Sequence, residues 1–286
     1  MSITVQILNN KLVKISLRKG EIIDHVKDPP SLIKLLNLGW NIEEYGESFV
    51  VLKNGDNIKL KCRLKEGFDF GHVLEIFESN TYLQNVQGFV VIDIGASTGD
   101  SSIYFAMKGA KEIYGVEPMK ESFDIATYNI NVNNLGAKIH LINAALYDKA
   151  GKTELTVSSQ NPNANSINLT ETVKKYGMNF DSKRTVETIS LKNIVYQFSL
   201  KKIGLLKMDC EGCEYVVLQS IEDDILSLVD NIVLEYHDGI KFLADLLERK
   251  GYNVSYDNTE GSGILKASSR AIKYDQSIRN TSSNAL

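Results

Sequence analysis

The chain has 286 residues, of which 43% are hydrophobic and 24% are charged. This is ordinary usage for a globular protein and excludes an intrinsically disordered one. Its 32 basic and 36 acidic side chains give a formal net charge of -4, without the basic excess that is typical of nucleic-acid-binding proteins, so we expect no nucleic-acid partner. The sequence shows no secretory signal and no apolar run near the roughly 20 residues of a membrane helix, so we expect a cytoplasmic protein without a membrane span.

Residues 1–87 are predicted to form a small α+β region. Alternating polar and apolar residues around the Asn-Asn pair at 9–10 and around the Asn-Gly pair at 54–55 predict two hairpins. Between them, the Pro-Pro pair at 29–30 begins a short helical pattern, and a second helix is predicted over 72–77. We expect this region to serve in substrate selection or in contacts between subunits.

From residue 88 onward, predicted strands alternate with predicted helices. The strands are expected over 89–94, 113–116, 139–143, 155–157, 203–208, 232–236, 252–256 and 263–265, and the main helices over 100–107, 120–135 and up to Gly251. This alternation predicts an α/β fold over residues 88–267, a doubly wound and mainly parallel Rossmann-like sheet. The last two strands have no helix between them, which predicts an antiparallel hairpin at one edge.

Two polar segments do not follow this alternation. Residues 158–184 are rich in asparagine and serine, and they are predicted to form a long loop of the kind that acts as a lid or a mobile insertion. Residues 268–286 have little periodicity and are predicted to form a flexible tail.

A strand, a glycine-containing turn and a helix follow one another between residues 90 and 107. Gly95 and Gly99 suit a turn that requires positive φ or a backbone close to a ligand. The next strand leads into Glu117, where a carboxylate can accept hydrogen bonds from both ribose hydroxyls of a nucleoside. Together these features predict a site for a nucleoside cofactor.

The residues of the glycine turn distinguish between two such cofactors. A dinucleotide fingerprint requires glycine where this chain has Ser97 and Asp100. Asp93 and Asp100 also flank the helix N-terminus, where a dinucleotide would place its anionic pyrophosphate. S-adenosylmethionine carries no phosphate, so the turn favours it over NAD. An NAD-dependent oxidoreductase and a non-catalytic cofactor-binding protein stay open as alternatives.

Several short stretches resemble a known family. The turn and the strand that follows it, at 92–101 and 116–118, are similar to motif I and the ribose-binding acid of class I methyltransferases. More narrowly, residues 143–146, 206–215 and 235–237 resemble the FkbM family of S-adenosylmethionine-dependent methyltransferases. The resemblance implies methyl transfer to oxygen, often to a hydroxyl of a sugar or polyketide. The expected cofactor-binding residues are Asp93, Gly95, Ala96, Ser97, Gly99, Asp100, Glu117, Asn143 and Ala144.

A second group of ionisable residues follows two predicted neighbouring strands. Asp209 and Glu211 are two residues apart, as are Glu235 and His237, so each pair points to one side of the sheet if the backbone is extended. Ligands bind at the carboxyl ends of such strands. We expect Asp209, Glu211 and His237 to be catalytic and the acceptor to be a hydroxyl on a glycan or small metabolite.

Two chemistries suit these three side chains, and the sequence does not decide between them. His237 is the natural base by its unperturbed pKa. The carboxylates of Asp209 and Glu211 could serve as the base or orient His237. They could also hold a divalent cation, for which such oxygen-rich ligands favour magnesium over zinc.

Cys210 and Cys213 have the two-residue spacing of a redox motif that enters a helix. A thioredoxin-like exchange protein would explain this spacing. It would explain neither the paired glycines nor Glu117, so the methyltransferase interpretation is favoured.

Overall fold

The structure is a computed structural model that describes residues 4–7, 13–16, 22–82, 85–158, 161–167 and 179–271, with side chains from Val26 onward. The N-terminal elements are β1 (Thr4–Ile7), β2 (Val13–Ser16), β3 (Ile22–Val26), α1 (Pro29–Asn37), β4 (Asn41–Tyr45), β5 (Phe49–Lys53), β6 (Lys59–Arg63) and α2 (Asp69–Val73), which continues into a π-helical turn over Leu74–Glu78. Strands β1–β3 and β4–β6 form two antiparallel sheets. Both predicted hairpins are confirmed.

The first helix shows how the sequence sets these elements. The Asp28 side chain accepts a hydrogen bond of 3.3 Å from the Ser31 amide, and prolines occupy the first turn, where no intrahelical donor is needed. The face of α1 that carries Leu32, Leu35 and Leu36 is buried. The helix predicted at the two prolines is therefore confirmed.

The second part of the chain contains the main sheet. Its elements are β7 (Val90–Ile94), α3 (Asp100–Met107), β8 (Glu112–Val116), α4 (Lys120–Val132), β9 (Ile139–Ile142), β10 (Ala145–Leu146), β11 (Gly151–Val157), β12 (Ser182–Ile189), α5 (Leu191–Gln197), β13 (Ile203–Met208), α6 (Cys213–Ser220), α7 (Asp223–Leu226), β14 (Val229–Tyr236), α8 (Lys241–Arg249), β15 (Tyr252–Tyr256) and β16 (Gly263–Ser269).

Seven strands form the main sheet in the order β15-β16-β14-β13-β7-β8-β9. Strands β14, β13, β7, β8 and β9 are parallel to one another, whereas β16 pairs antiparallel with both β14 and the edge strand β15. The order reverses between β7 and β13, because β8 and β9 extend to one side of β7 and the later strands to the other. The predicted doubly wound α/β sheet with an antiparallel edge hairpin is confirmed.

The long polar segment differs from its prediction. Ser182–Ile189 form β12, which pairs antiparallel with β11, so the loop predicted up to residue 184 is wrong at its end. These two strands and β10 form a separate three-stranded sheet, which removes the strand predicted at 155–157 from the main sheet. Exposed polar side chains cover much of β12, and this hid its alternation in the sequence. Residues 168–178 of the predicted loop lie outside the described residues.

The two faces of the main sheet pack against different layers. Val91 belongs to a hydrophobic cluster with Leu32 and Phe70 of the N-terminal region, whereas the next residue, Ile92, packs with Leu243 of α8. Neighbouring residues of a strand point to opposite faces, so the N-terminal region covers one face. Residues on both sides of the predicted boundary at residue 87 therefore belong to one hydrophobic cluster. The division into two domains stays a prediction.

The end of the chain is described only in part. Ser268 and Ser269 of the predicted tail belong to β16, and residues 272–286 lie outside the described residues. Among the helices that the structure describes, none has both the length and the apolar content needed to cross a membrane.

Candidate active site

The glycine turn between β7 and α3 adopts a left-handed backbone. The φ angles of Gly95, Ser97 and Gly99 are 73°, 44° and 81°. A Cβ atom on Gly95 would lie 1.8 Å from the main-chain oxygen of Asp209, so only glycine fits there. The turn therefore packs directly on the segment that follows β13.

A buried ion pair between Asp93 and Lys207 supports the glycine turn. Asp93 is fully buried, and its carboxylate accepts hydrogen bonds from the hydroxyls of Ser101 (2.7 Å) and Ser102 (2.6 Å). Lys207 Nζ lies 3.2 Å from Asp93 Oδ1 and donates to the Gly95 carbonyl oxygen at 3.0 Å. Burial opposes a charged lysine, but Asp93 and Asp209 raise the pKa of Lys207, so it stays protonated. Asp93 thus holds the turn in place.

Glu117 lies where the sequence predicts the ribose-binding acid. Its two carboxylate oxygens accept hydrogen bonds from the amides of Ser97 (3.0 Å) and Met119 (2.8 Å), which fix the orientation of the side chain. Burial raises the pKa of Glu117 to about 7, against the lowering effect of these two amides. Asn143 is exposed and donates to the main-chain oxygen of Glu117 at 2.8 Å, so it holds the end of β8.

A cleft of about 790 Å³ opens at the carboxyl ends of β7, β8 and β13. Four of the predicted cofactor residues line it, namely Gly95, Ser97, Asp100 and Glu117. The other five do not appear among the described residues that line the cleft; they are Asp93, Ala96, Gly99, Asn143 and Ala144. Ala145 and Leu146 form the wall that was predicted at residues 143–144.

Asp100 lines this cleft, and one of its carboxylate oxygens has no hydrogen-bond partner among the described residues. The residue is 3% exposed, and its Oδ1 accepts a hydrogen bond of 2.8 Å from the Ser101 amide. Its Oδ2 is buried without a hydrogen-bond partner among the described residues. Because buried carboxylate oxygens normally have partners, this atom indicates a position for a donor group of a ligand.

The two predicted pairs of ionisable residues meet beside the cleft. One ligand atom each from Asp209, Glu211 and His237 lies within 4.8 Å of the others. His237 Nε2 is 3.3 Å from Glu211 Oε2 and 3.7 Å from Glu235 Oε1. Asp209 accepts a hydrogen bond of 2.8 Å from the hydroxyl of Tyr82. Such a set of atoms can accept a proton or hold a divalent cation.

The three predicted catalytic residues differ in their access to the cleft. Asp209 and Glu211 line it, whereas His237 is 3% exposed and is absent from the described residues of the cleft wall. His237 therefore lies behind Glu211. The structure brings the three side chains together, but it places a carboxylate, rather than the imidazole, toward the cleft.

The environment of these acids changes their proton affinity. Burial, together with the charges of Asp209 and Glu235, raises the pKa of Glu211 well above its usual range. Burial and Asp209 raise the pKa of Glu235 to about 9. Burial alone would raise the pKa of Asp209 as well, but Lys207 and His237 lower it below its ordinary value. Asp209 is thus the most readily ionised acid of the group, and Glu211 binds its proton more tightly than an ordinary glutamate does.

The segment that carries Glu211 has an unusual backbone. Glu211 has a φ of 55° and Gly212 a φ of 104°, and a disulfide joins Cys210 to Cys213 across them. Glu214 is fully buried and accepts hydrogen bonds of 2.9 Å from the amides of Cys210 and Gly212. We call residues 209–213 the catalytic loop, after the role that the sequence predicts for Asp209 and Glu211.

Residues that sequence reasoning missed complete the site. The N-terminal region contributes His72, and the segment after β11 contributes Asn163 to the cleft wall. Arg63, which pairs with Asp69, donates to Asn163 Oδ1 at 2.7 Å, and Asn163 Nδ2 lies 3.1 Å from His72 Nε2. Arg63, His72 and Asn163 are far apart in sequence and belong to no motif, so the sequence does not predict that they meet. Lys207 and Glu214 are charged residues within apolar stretches, which is a sequence signal for a buried functional or structural charge.

The sequence of this chain is similar to those of known methyltransferases. Residues 93–254 match the model of the methyltransferase FkbM domain, which is more than half of the chain. The methyltransferase sdnD of Sordaria araneosa is 27% identical over 196 residues, covering 59% of this chain and 76% of that protein. Methyltransferase 1 of Beauveria bassiana is 27% identical over 187 residues, covering 59% and 74%.

One solved structure whose name includes FkbM aligns with part of this chain. The methyltransferase FkbM from Methylobacillus flagellatus aligns with a TM-score of 0.44 and 11% identity, covering 69% of this chain and 50% of that one. The match to the family model begins at Asp93, in the strand before the glycine turn, and continues through the catalytic loop and His237. The chain belongs to the FkbM methyltransferase family.

Proposed function

We propose that this chain is an S-adenosylmethionine-dependent O-methyltransferase that acts on a hydroxyl of a glycan or small metabolite. The observation that carries the proposal is the convergence of two features on one cleft: the glycine turn with Glu117, and the carboxyl group of Glu211 with its raised pKa. A methyl donor and a proton acceptor must lie side by side for such a transfer.

The residues of the cleft fit S-adenosylmethionine. Asp100 Oδ2, which lacks a partner among the described residues, can accept a hydrogen bond from the amino group of the methionine part. Glu117 would hold the ribose hydroxyls, and the left-handed turn at Gly95 allows the backbone to approach the cofactor. When bound, S-adenosylmethionine supplies a methyl group on a positively charged sulfonium. The acidic lining favours this cation over a pyrophosphate.

Glu211 is the residue that we assign to proton removal. It lines the cleft, and burial raises the pKa of its carboxyl group, which makes its carboxylate a stronger base than an ordinary glutamate. A hydroxyl must lose its proton when its oxygen forms the new bond to carbon, and the Glu211 carboxylate would accept it. This need for a base favours an oxygen acceptor over a neutral amine, which is nucleophilic without one.

His237 is a positioning residue in this scheme. Its Nε2 lies 3.3 Å from Glu211 Oε2, and His237 is not among the described residues that line the cleft. At this distance it can hold the Glu211 side chain in place. Asp209, fixed by Tyr82 and close to Lys207, would stay ionised beside them.

A divalent cation is the second candidate for the same chemistry. Asp209, Glu211 and His237 could hold it with one atom each, and it would lower the pKa of a bound hydroxyl. Lys207 Nζ lies 3.9 Å from Asp209 Oδ2 and supplies a positive charge at this position already. We therefore favour the base without a metal, and a chelator distinguishes the two.

The test combines binding and turnover. Calorimetry of the purified protein with S-adenosylmethionine and with NAD should show binding of the first only. A panel of sugars, polyols and phenols, scored by formation of S-adenosylhomocysteine, should then give turnover that persists in chelator. Glu211→Gln should lower kcat by roughly 10²- to 10⁴-fold with the cofactor Kd unchanged.

The control variant for this test is Glu187→Gln. Glu187 lies on the exposed side of β12, in an ion pair with Lys152, so its loss should not change turnover. Binding of NAD alone would support the oxidoreductase alternative. Binding of S-adenosylmethionine without turnover of any acceptor would support a non-catalytic cofactor-binding protein.

A further inference from the structure

The catalytic loop contains a disulfide that takes no direct part in the proposed methyl or proton transfer. Cys210 and Cys213 are bonded to each other, and both line the cleft. Cys62, the third cysteine, is buried and free. A bond between sulfurs that face a ligand cleft is open to reagents that enter the cleft.

The residue between the two cysteines is the proposed base. Glu211 has a φ of 55°, a left-handed conformation that costs free energy for a side chain other than glycine. The disulfide closes a short ring around Glu211 and Gly212 and so limits the other conformations of this backbone. Glu214, which accepts from the amides of Cys210 and Gly212, supports the same conformation from inside.

We propose that Cys210 and Cys213 form a redox-active site whose substrate is a dithiol reductant, and that the oxidised form holds Glu211 in its catalytic position. The proposal rests on the role assigned to Glu211 above. Reduction would leave Glu211 free to relax to ordinary backbone conformations. The Glu211 carboxyl group would then move away from His237. In the oxidised form, Glu211 Oε2 lies 3.3 Å from His237 Nε2.

The dithiol reductant supplies the two electrons and two protons that reduction of the disulfide needs. One thiolate of the reductant attacks Cys210 Sγ, because Cys210 is half-buried whereas Cys213 is 3% exposed. The bond between the two sulfurs breaks, and its electron pair leaves on Cys213, which takes up a proton. The second thiol of the reductant then attacks the mixed disulfide and releases Cys210 as a thiol. Two electrons and two protons pass to the protein, and the reductant becomes a disulfide.

The redox state is measured first, with dithiothreitol as the probe. After denaturation and alkylation, mass spectrometry should find one modified cysteine in protein kept in oxidised dithiothreitol and all three in reduced protein. Two further alkylated cysteines in the oxidised buffer would overturn the proposal, because the disulfide would not form.

The position of Glu211 is then read without turnover. The imidazole resonance of His237, assigned with His237→Gln, should move on reduction, whereas that of His140 on β9, outside the cleft wall, should not. Turnover of the best acceptor should fall by roughly 5- to 100-fold, the loss expected when a residue leaves a sparsely populated backbone conformation. Reoxidation should restore both readouts.

Variants separate the redox effect from a general effect of the reductant. Protein with both Cys210→Ser and Cys213→Ser should resemble reduced protein in its His237 resonance and should no longer respond to dithiothreitol. Cys62→Ala should respond as the unmodified protein does. An unmoved His237 resonance with full turnover in reduced protein would overturn the proposal. If neither redox state methylates any acceptor, the proposed function fails, and the His237 resonance still decides the redox proposal.

Discussion

The α-carbon of Gly95 packs against the main-chain carbonyl oxygen of Asp209. A Cβ atom built on Gly95 would lie 1.8 Å from that oxygen, well inside the van der Waals contact distance. Residue Gly95 begins the turn at the cofactor cleft, and Asp209 begins the catalytic loop. This contact therefore fixes the distance between the cofactor residues and the proposed base.

Gly95→Ala tests this contact. We expect a loss of roughly 3–5 kcal/mol in the free energy of unfolding, or failure to fold, because overpacking adds to the strain of a positive φ. The matched control is Gly88→Ala, since Gly88 has a φ of 76° against 73° for Gly95 and nothing within 4 Å of its added Cβ. The control should lose only about 1 kcal/mol, from backbone strain alone. Equal losses in urea denaturation would show that the contact is unimportant.

Binding of S-adenosylmethionine should depend on pH through Glu117. Its pKa is raised by burial to about 7. Only the ionised carboxylate keeps all its acceptor sites for ribose hydroxyls, so binding is strongest above this value. Below it, protonation competes with binding, and the Kd should rise by up to about tenfold per pH unit.

Glu117→Gln is the matched control for that pH dependence. It should bind about 1.5–3 kcal/mol more weakly at pH 8, since hydrogen bonds to a charged group are lost. The slope that Glu117 causes between pH 8 and 6 should also disappear. Calorimetry of both proteins between pH 8 and 6 measures the Kd for S-adenosylmethionine and tests whether Glu117 causes its pH dependence. A variant with the affinity and the pH slope of the unmodified protein would exclude Glu117 from the cofactor site.

Lys207→Met should destabilise the fold and the cofactor site together. Lys207 is 2% exposed and lies 3.2 Å from fully buried Asp93. Removing the lysine leaves Asp93 as an uncompensated buried charge, at a cost of roughly 3–5 kcal/mol. Lys202→Met is the control, because Lys202 forms an exposed ion pair with Asp230 whose loss costs at most about 1 kcal/mol. Similar denaturation midpoints for the two variants would contradict this assignment.

Asn163→Ala tests the predicted role of residues 1–87 and of the long polar segment in substrate selection. Asn163 connects Arg63 to His72 at the cleft wall through contacts of 2.7 Å and 3.1 Å. We expect a higher KM for the acceptor, because the wall loosens, and a Kd for S-adenosylmethionine within about twofold, a change of less than 1 kcal/mol. Asn231→Ala, which removes a distant contact to the Gly204 carbonyl, is the control. A larger change in the cofactor Kd than in the acceptor KM would assign these segments to the cofactor.

The sequence determined the main sheet and the cofactor turn because their signals are local. A buried parallel strand such as β7 reads as a continuous apolar run, and the positive φ angles of Gly95 and Gly99 give a local reason for glycine in the turn after it. The sequence did not predict strand β12, because its first four residues are exposed and its partner β11 is distant from it in sequence. The antiparallel edge was evident from the missing helix between β15 and β16.

The arrangement of the site was decided by tertiary structure. Spacing placed Asp209, Glu211 and His237 at adjacent strand ends, but it could not show that Glu211 lines the cleft and His237 lies behind it. Glu211 has a left-handed backbone, which the disulfide and the buried carboxylate of Glu214 support through contacts that its spacing from Asp209 does not reveal. Proton affinity depends on burial and on neighbouring charges in space, and neither is encoded in the spacing of residues along one strand.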